Sequence, residues 1–145
     1  MINIIITGGS SSIGRELISK LSLKKVNIIY QINKSKPFIK KKNINFIRSD
    51  FCSHVSLKKF INFVTKKTNK IDFLIHLPSS KIQIKKFEDY SWFEINSQIN
   101  IQVRSLHFLL TSLIKKKMLS RKTKIIILGS EATSGRPPRG MLDYV

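Results

Sequence analysis

Short apolar, β-branched runs alternate along this chain with longer stretches whose apolar residues recur every three or four positions. The first run, Ile2–Ile6, predicts a strand. Ser12–Leu23 predicts a helix with Ile13, Leu17, Ile18 and Leu21 on one face and Arg15, Glu16 and Lys20 on the other. Val26–Ile32 predicts a second strand, followed by a polar connection, Asn33–Asn43, broken at Pro37. Ile44–Ile47 is a short third strand whose end is marked by Asp50. Ser53 or Ser56 caps the next helix, with Val55, Phe60, Ile61 and Val64 as its apolar stripe and a stop at Lys66–Asn69. Ile71–Leu77 predicts a fourth strand, closed by Pro78-Ser79-Ser80. One long helix is predicted from Trp92 to Met118, carrying Ile95, Ile99, Val103, Leu106, Leu110 and Leu113 at helical spacing. Lys124–Leu128 is a fifth strand running into Gly129-Ser130, and Glu131–Val145 is a Gly/Pro-rich loop with Tyr144 near its end.

Strand and helix alternate without a repeat or a linker, which predicts one α/β domain over residues 1–145. Its sheet should be parallel and doubly wound, with helices on both faces and ligands at the C-terminal ends of the strands. The 145 residues, 41% of them hydrophobic and 9% aromatic, suffice for a core and argue against disorder. A single cysteine, Cys52, excludes an internal disulfide and a cysteine-based zinc cluster, and no metal is expected. No signal-peptide pattern precedes the first strand, and no apolar run approaches the ~18 residues of a membrane span. The expectation is a soluble, cytoplasmic chain with no membrane partner.

Charge alters this picture little. There are 27 Lys and Arg against 8 Asp and Glu, a formal net charge of +19. Such an excess points to an anionic partner, nucleic acid being the obvious one. The lysines, however, fall in short runs (Lys40–Lys42, Lys66-Lys67, Lys85-Lys86, Lys115–Lys117) at helix ends or in connections, within a chain crowded with Ile and Asn. A solvated basic surface that favours phosphorylated ligands is preferred over nucleic-acid binding.

The most informative chemistry lies where the first strand meets the first helix, in Thr7-Gly8-Gly9-Ser10-Ser11-Ser12-Ile13-Gly14. A strand, a tight turn of small residues and a helix start aim free backbone N–H groups and the positive end of the helix dipole at one point, a place for a phosphate. Small residues are required because a pyrophosphate must come within hydrogen-bonding distance of the backbone. Asp50-Phe51 closes the third strand. Asn33, Lys34 and Lys36 follow the second, and His76 and Leu77 end the fourth.

With these residues the chain resembles the short-chain dehydrogenase/reductase family, NAD(P)-dependent oxidoreductases on a Rossmann fold, over essentially its whole length. Thr7–Gly14 stands for the family's T-G-x-x-x-G-x-G, with Ser12 in place of the middle glycine, compatible with capping and with an added hydrogen bond to phosphate. The resemblance implies that Thr7, Gly8, Ser10, Ser11, Ser12, Ile13 and Gly14 cradle the pyrophosphate. It implies that Asp50 and Phe51 hold the adenine, the carboxylate accepting from the exocyclic amine. An NAD enzyme usually carries an acid at the end of the second strand; here Ile32 is followed by Asn33 and Lys34, so NADP(H) is expected over NAD(H). His76-Leu77-Pro78-Ser79 occupies the place of the family's N-N-A-G. The backbone there can still pass the cofactor ribose, and His76 and Leu77 are candidate contacts, but the Asn side chains that brace the sheet are missing.

The family's relay joins a Ser, a Tyr and a Lys with an Asn. Tyr acts as general acid and base, Ser orients the substrate carbonyl, and Lys lowers a phenol pKa that is otherwise near 10. Ser130 matches the Ser, Tyr144 the Tyr, and Asn100 the Asn, with Asn96 as second choice. The family's Y-x-x-x-K requires a lysine three positions beyond Val145. The expectation is therefore the N-terminal, dinucleotide-binding portion of a reductase that moves hydride between NADP(H) and a carbonyl or alcohol, a Rossmann sheet truncated after its fifth strand and inactive alone. A longer form would be a homo-oligomer. The alternative is a non-catalytic dinucleotide-binding module or an inactive truncated remnant. An Ile-rich fifth strand left as an open edge predicts poor solubility.

Overall fold

The computed structural model describes residues 1–80, 83–130, 135 and 140. Among these, β1 (Ile2–Thr7), β2 (Val26–Ile32), β3 (Ile44–Arg48), β4 (Phe73–His76) and β5 (Lys124–Ile127) form one parallel sheet in the order β3-β2-β1-β4-β5. The chain leaves β1 towards one edge and then returns to build the other side. The tips of β1 and β4 thus flank the point where the strand order reverses, the usual ligand crevice of such sheets.

The apolar runs are continuous because both faces of the central strands are covered. Ile5, Ile29 and Leu74 point to one side, where α2 (His54–Lys67) contributes Leu57, Phe60, Ile61 and Val64 and α4 (Ser105–Lys115) contributes Leu109 and Leu113. Ile4, Ile6, Ile28, Tyr30 and Ile75 point to the other, against Ile18 of α1 (Ser12–Leu21). Helices on both faces and a doubly wound parallel sheet are as the alternation predicts. No helix among the described residues is long and apolar enough to cross a membrane.

Three local expectations change. Ser53, not Ser56, caps α2, its side chain accepting from the Ser56 N–H; the buried stripe then includes Leu57, while Val55 is exposed. Ile13 is half exposed in the first turn of α1, leaving Ile18 as the fully buried member of its expected face. The long helix is three pieces: α3 (Trp92–Ile99), a π turn (Asn100–Arg104) and α4. One extra residue in the π turn rotates the following side chains out of register. Ile99, before the turn, and Val103, within it, face solvent, and Ser105, Leu109 and Leu113 are the buried positions beyond it. α3 itself starts with a capping box between Ser91 and Glu94. Lys85 sits 2.6 Å from Glu94, and this ammonium, with the Ser91 backbone, holds the carboxyl down at a pKa of about 2.

Candidate functional site

A cleft of about 210 Å³ opens at the C-terminal ends of β1, β2 and β4 and beside the end of β3. Its floor is the turn between β1 and α1. Gly8 takes φ +70, and a Cβ there would lie 2.7 Å from both the Leu77 carbonyl carbon and the Pro78 nitrogen. The turn therefore rests directly on the backbone leaving β4, which only glycine permits. A Cβ at Gly14 would meet the Gly8 carbonyl oxygen at 2.7 Å, so the helix start also packs against the turn.

The helix cap is Ser11, and Ser12 is the first helical residue. The Ser11 hydroxyl accepts from the Gly14 N–H at 3.0 Å and donates to the Gly8 carbonyl at 2.9 Å. Gly8 donates its N–H to Oε1 of Gln31 at 2.8 Å, and Gly9 donates to the Gln31 carbonyl at 2.9 Å. These two amides are thus consumed within the chain. The N–H groups of Ser12 and Ile13 have no partner among the described residues and stand at the positive end of α1, a ready anion site. Arg15 keeps a guanidinium beside the turn, donating from Nε to the Ser10 carbonyl at 3.1 Å and stacking 4.8 Å from the Phe38 ring centre.

The walls come from four places. Gln31 and Asn33 line the cleft from the end of β2, whereas Lys34 is exposed outside it. Asp50 and Phe51 form the wall beyond β3. Asp50 is exposed at the lip, with Oδ1 accepting the Cys52 N–H at 2.9 Å, and it is the single charged group among the described lining residues. Phe51 is buried, its ring edge-on to Phe60 at 5.4 Å, so it reaches the cleft as part of the core. Leu77, Pro78 and Ser79 continue from β4, and Ile101 of the π turn closes the opposite side.

His76 lies behind this wall. It is buried, with Nδ1 2.8 Å from Oγ1 of Thr7, and it does not line the cleft. Burial pushes its pKa down to about 4 against the backbone of Gln102, which favours the charged ring. Asn100 is the first residue of the π turn, half-buried, immediately before Ile101. Ser130 is half-buried beyond the end of β5 and outside the cleft lining. Tyr144 lies outside the described residues.

The structure therefore brings Gly8, Ser10 and Ser11 of the turn together with Asn33, Asp50, Phe51 and Leu77; Thr7, Ser12, Ile13 and Gly14 adjoin the cleft without lining it, and Lys34 and His76 lie off its surface. Gln31, Ser79 and Ile101 are wall residues that strand and helix periodicity does not reveal. The one available signal for Gln31 is a lone long polar residue within an otherwise apolar strand end, Ile28–Ile32.

A sequence profile for the short chain dehydrogenase family matches residues 3–144. No curated protein matches the chain. Among solved structures, the chain is similar to a short chain dehydrogenase family protein from Francisella tularensis subsp. tularensis, with TM-score 0.83 and 20% identity over 99% of this chain and 57% of that one. A short chain dehydrogenase from Leptospira borgpetersenii with bound NAD+ gives TM-score 0.83 and 19% identity over 99% and 58%. One from Burkholderia cenocepacia in complex with NADP gives 0.82 and 18% over 99% and 61%. The chain thus spans under two thirds of the length of these structures, and at such identities the likeness is one of fold.

Proposed function

The chain belongs to the short-chain dehydrogenase family, and from that membership we propose that its cleft binds a nicotinamide dinucleotide, NADP(H) in preference to NAD(H), for hydride transfer between the cofactor and a carbonyl or alcohol substrate. The carrying observation is convergence. One end of a single cleft is lined by Gly8, Ser10 and Ser11, directly before the unpartnered N–H groups of Ser12 and Ile13 that open α1, and another holds the Asp50 carboxylate. A dinucleotide needs both, an anion site for the pyrophosphate and an acceptor for the adenine amine. The missing Cβ atoms of Gly8 and Gly14 let the turn pack directly on the β4 exit and on the start of α1, which fixes the turn at the base of the cleft.

In this reading Ser10, Ser11, Ser12 and Ile13 face the pyrophosphate, with Thr7, Gly8 and Gly14 shaping the turn. Asp50 and Phe51 bound the adenine, and Leu77 runs past a ribose. Gln31 and Asn33 at the end of β2 are neutral, so no carboxylate there repels a 2′-phosphate, and Arg15 and Lys34 add positive charge nearby. The dinucleotide supplies or accepts the hydride when bound. Ser130 would hold the substrate oxygen by hydrogen bonding, Tyr144 would deliver or remove a proton at that oxygen, and Asn100 would complete the relay. These three roles, and His76 and Lys34 as cofactor contacts, rest on the family resemblance. A small-molecule substrate and assembly into a homo-oligomer belong to the same proposal.

Titrating the purified chain with NADPH and NADH, followed by nucleotide fluorescence, tests the binding claim. Saturable binding, tighter for NADPH, is the expected result, and no response to either nucleotide refutes it. Turnover with a panel of carbonyl compounds then separates an oxidoreductase from a non-catalytic binding module, which would bind without reducing any of them.

A further inference from the structure

We propose that Gln31 is a positioning residue of this cleft, its side-chain amide tying the phosphate turn to the adenine wall at a fixed separation. The proposal rests on the reading of the cleft as a dinucleotide site. Gln31 is the last but one residue of β2, set among the apolar residues Ile28, Ile29, Tyr30 and Ile32, yet only 4% of it is exposed. Oε1 accepts from the Gly8 N–H at 2.8 Å, Nε2 donates to the Ser49 carbonyl at 2.6 Å, and the Gln31 carbonyl accepts from the Gly9 N–H at 2.9 Å.

The two ends of that bridge belong to strands that do not touch. Gly8 follows β1 and Ser49 follows β3, while β2 lies between them. The axes of β1 and β3 lie two inter-strand spacings apart, about 9–10 Å, and a side chain rooted on β2 between them reaches both sides. Ser49 is held in turn: its N–H donates to the Ile32 carbonyl at 2.9 Å and its hydroxyl to the Ser56 carbonyl at 2.8 Å in α2. Asp50 is the next residue. A continuous line of hydrogen bonds thus runs from the turn through Gln31 to the backbone that carries the adenine acid.

The chemistry fits a carboxamide alone. One end must accept from an N–H and the other donate to a carbonyl; a carboxylate only accepts and an ammonium only donates. Asparagine is one methylene too short to keep both bonds. Because Gly8 spends its N–H on Gln31, the phosphate donors are left to Ser12 and Ile13, and Gln31 sets where those donors sit relative to Asp50. Such preorganisation matters only to a ligand that touches both ends at once.

Three ligands distinguish the roles: NADPH and ADP, which span turn and wall, and adenosine, which meets the wall alone. Gln31→Met removes both bonds, and Gln31→Asn keeps the amide but shortens its reach, serving should the methionine variant fail to fold. Affinities are measured well below each variant's thermal midpoint, by calorimetry for NADPH and ADP and by ligand-detected NMR for adenosine. The expected result is a loss of about tenfold for NADPH and ADP with adenosine changed less than twofold. Unchanged ADP affinity in either folded variant overturns the proposal, as does an adenosine loss equal to that of ADP, which would make Gln31 a plain wall residue. If the unsubstituted chain binds neither NADPH, NADH nor ADP, it is the dinucleotide reading that fails, and the role of Gln31 falls with it.

Discussion

Thr7 Oγ1 and His76 Nδ1 lie 2.8 Å apart in the core, joining residues that face each other in the register of β1 and β4. The pair locks the tips of the two strands that flank the cleft. It joins the two strand tips through an aromatic ring that can acquire a proton. The cost of charging that ring inside the core links the stability of the fold to pH.

The first prediction follows from the pKa of His76, pushed by burial from 6.5 in an exposed chain to about 4. Between these values the unfolded chain binds more protons than the folded one. The stabilisation is therefore complete above about pH 6.5 and is lost as pH falls towards 4, in total about 3 kcal/mol. Glu94, held at about 2 by Lys85, loses its contribution only between about pH 4.5 and 2, below this window. Urea unfolding at pH 7 and pH 5 should show the natural chain losing about 2 kcal/mol. His76→Asn keeps a partner for Thr7 and has nothing to titrate, so its loss should be much smaller. Equal losses in both proteins would assign the slope to another group.

Two glycines should respond oppositely to alanine. At Gly8 the φ of +70 and the overlaps at 2.7 Å with the Leu77 and Pro78 backbone leave no relaxation except displacement of the β4 exit. Gly8→Ala should cost about 2–4 kcal/mol and abolish nucleotide binding. Gly129 has nothing within 4 Å of its ideal Cβ, and Gly129→Ala should stay within about 0.5 kcal/mol. Chemical denaturation midpoints decide between these outcomes, and a tolerated Gly8→Ala would contradict the packing of turn on strand.

What periodicity reveals here is what depends on neighbours in sequence. The apolar runs of β1, β2 and β4 announce a sheet covered on both faces, and a β-branched run passing into Thr7-Gly8-Gly9 announces the phosphate turn. Asp50-Phe51 is found because it closes a strand. Gln31 escapes because its partners, Gly8 and Ser49, lie 23 and 18 residues away and no local rule joins them. His76 stands out as a polar strand end, but its pairing with Thr7, 69 residues distant, turns it inward and off the cleft. The π turn at Asn100–Arg104 leaves no mark on the heptad-like spacing of Ile99, Val103 and Leu106, although it decides which of the helix positions are buried.

Asp50 should affect binding without affecting the fold. Its Oδ1 already accepts the Cys52 N–H at 2.9 Å, a bond that Asn can keep, while its second carboxylate oxygen becomes an amide donor in the variant. Asp50→Asn removes the acceptor offered to the adenine amine and leaves the local turn intact. Affinity for NADPH should fall about tenfold, the scale of one hydrogen bond to a charged group, with the thermal midpoint unchanged. Undiminished NADPH binding by Asp50→Asn would remove Asp50 from the adenine site.

One outer strand of the sheet, β5, is left exposed. Ile125, Ile126 and Ile127 are 43%, 46% and 55% exposed, against 0–4% for Ile4, Ile5 and Ile6 of β1. Ile125 pairs with Leu74 and Ile126 with Ile75, whose side chains enter opposite core clusters, so β5 is about half exposed on both faces. Among the described residues no strand pairs with its outer edge. An open, β-branched edge of this kind is a template for further strands. Ile126→Lys places a charge on that edge at a stability cost of about 1 kcal/mol, because the isoleucine is only half buried. Light scattering across a concentration series should show the natural chain self-associating and the lysine variant remaining smaller at every concentration. Identical scattering from two equally folded proteins would show that self-association does not start at β5.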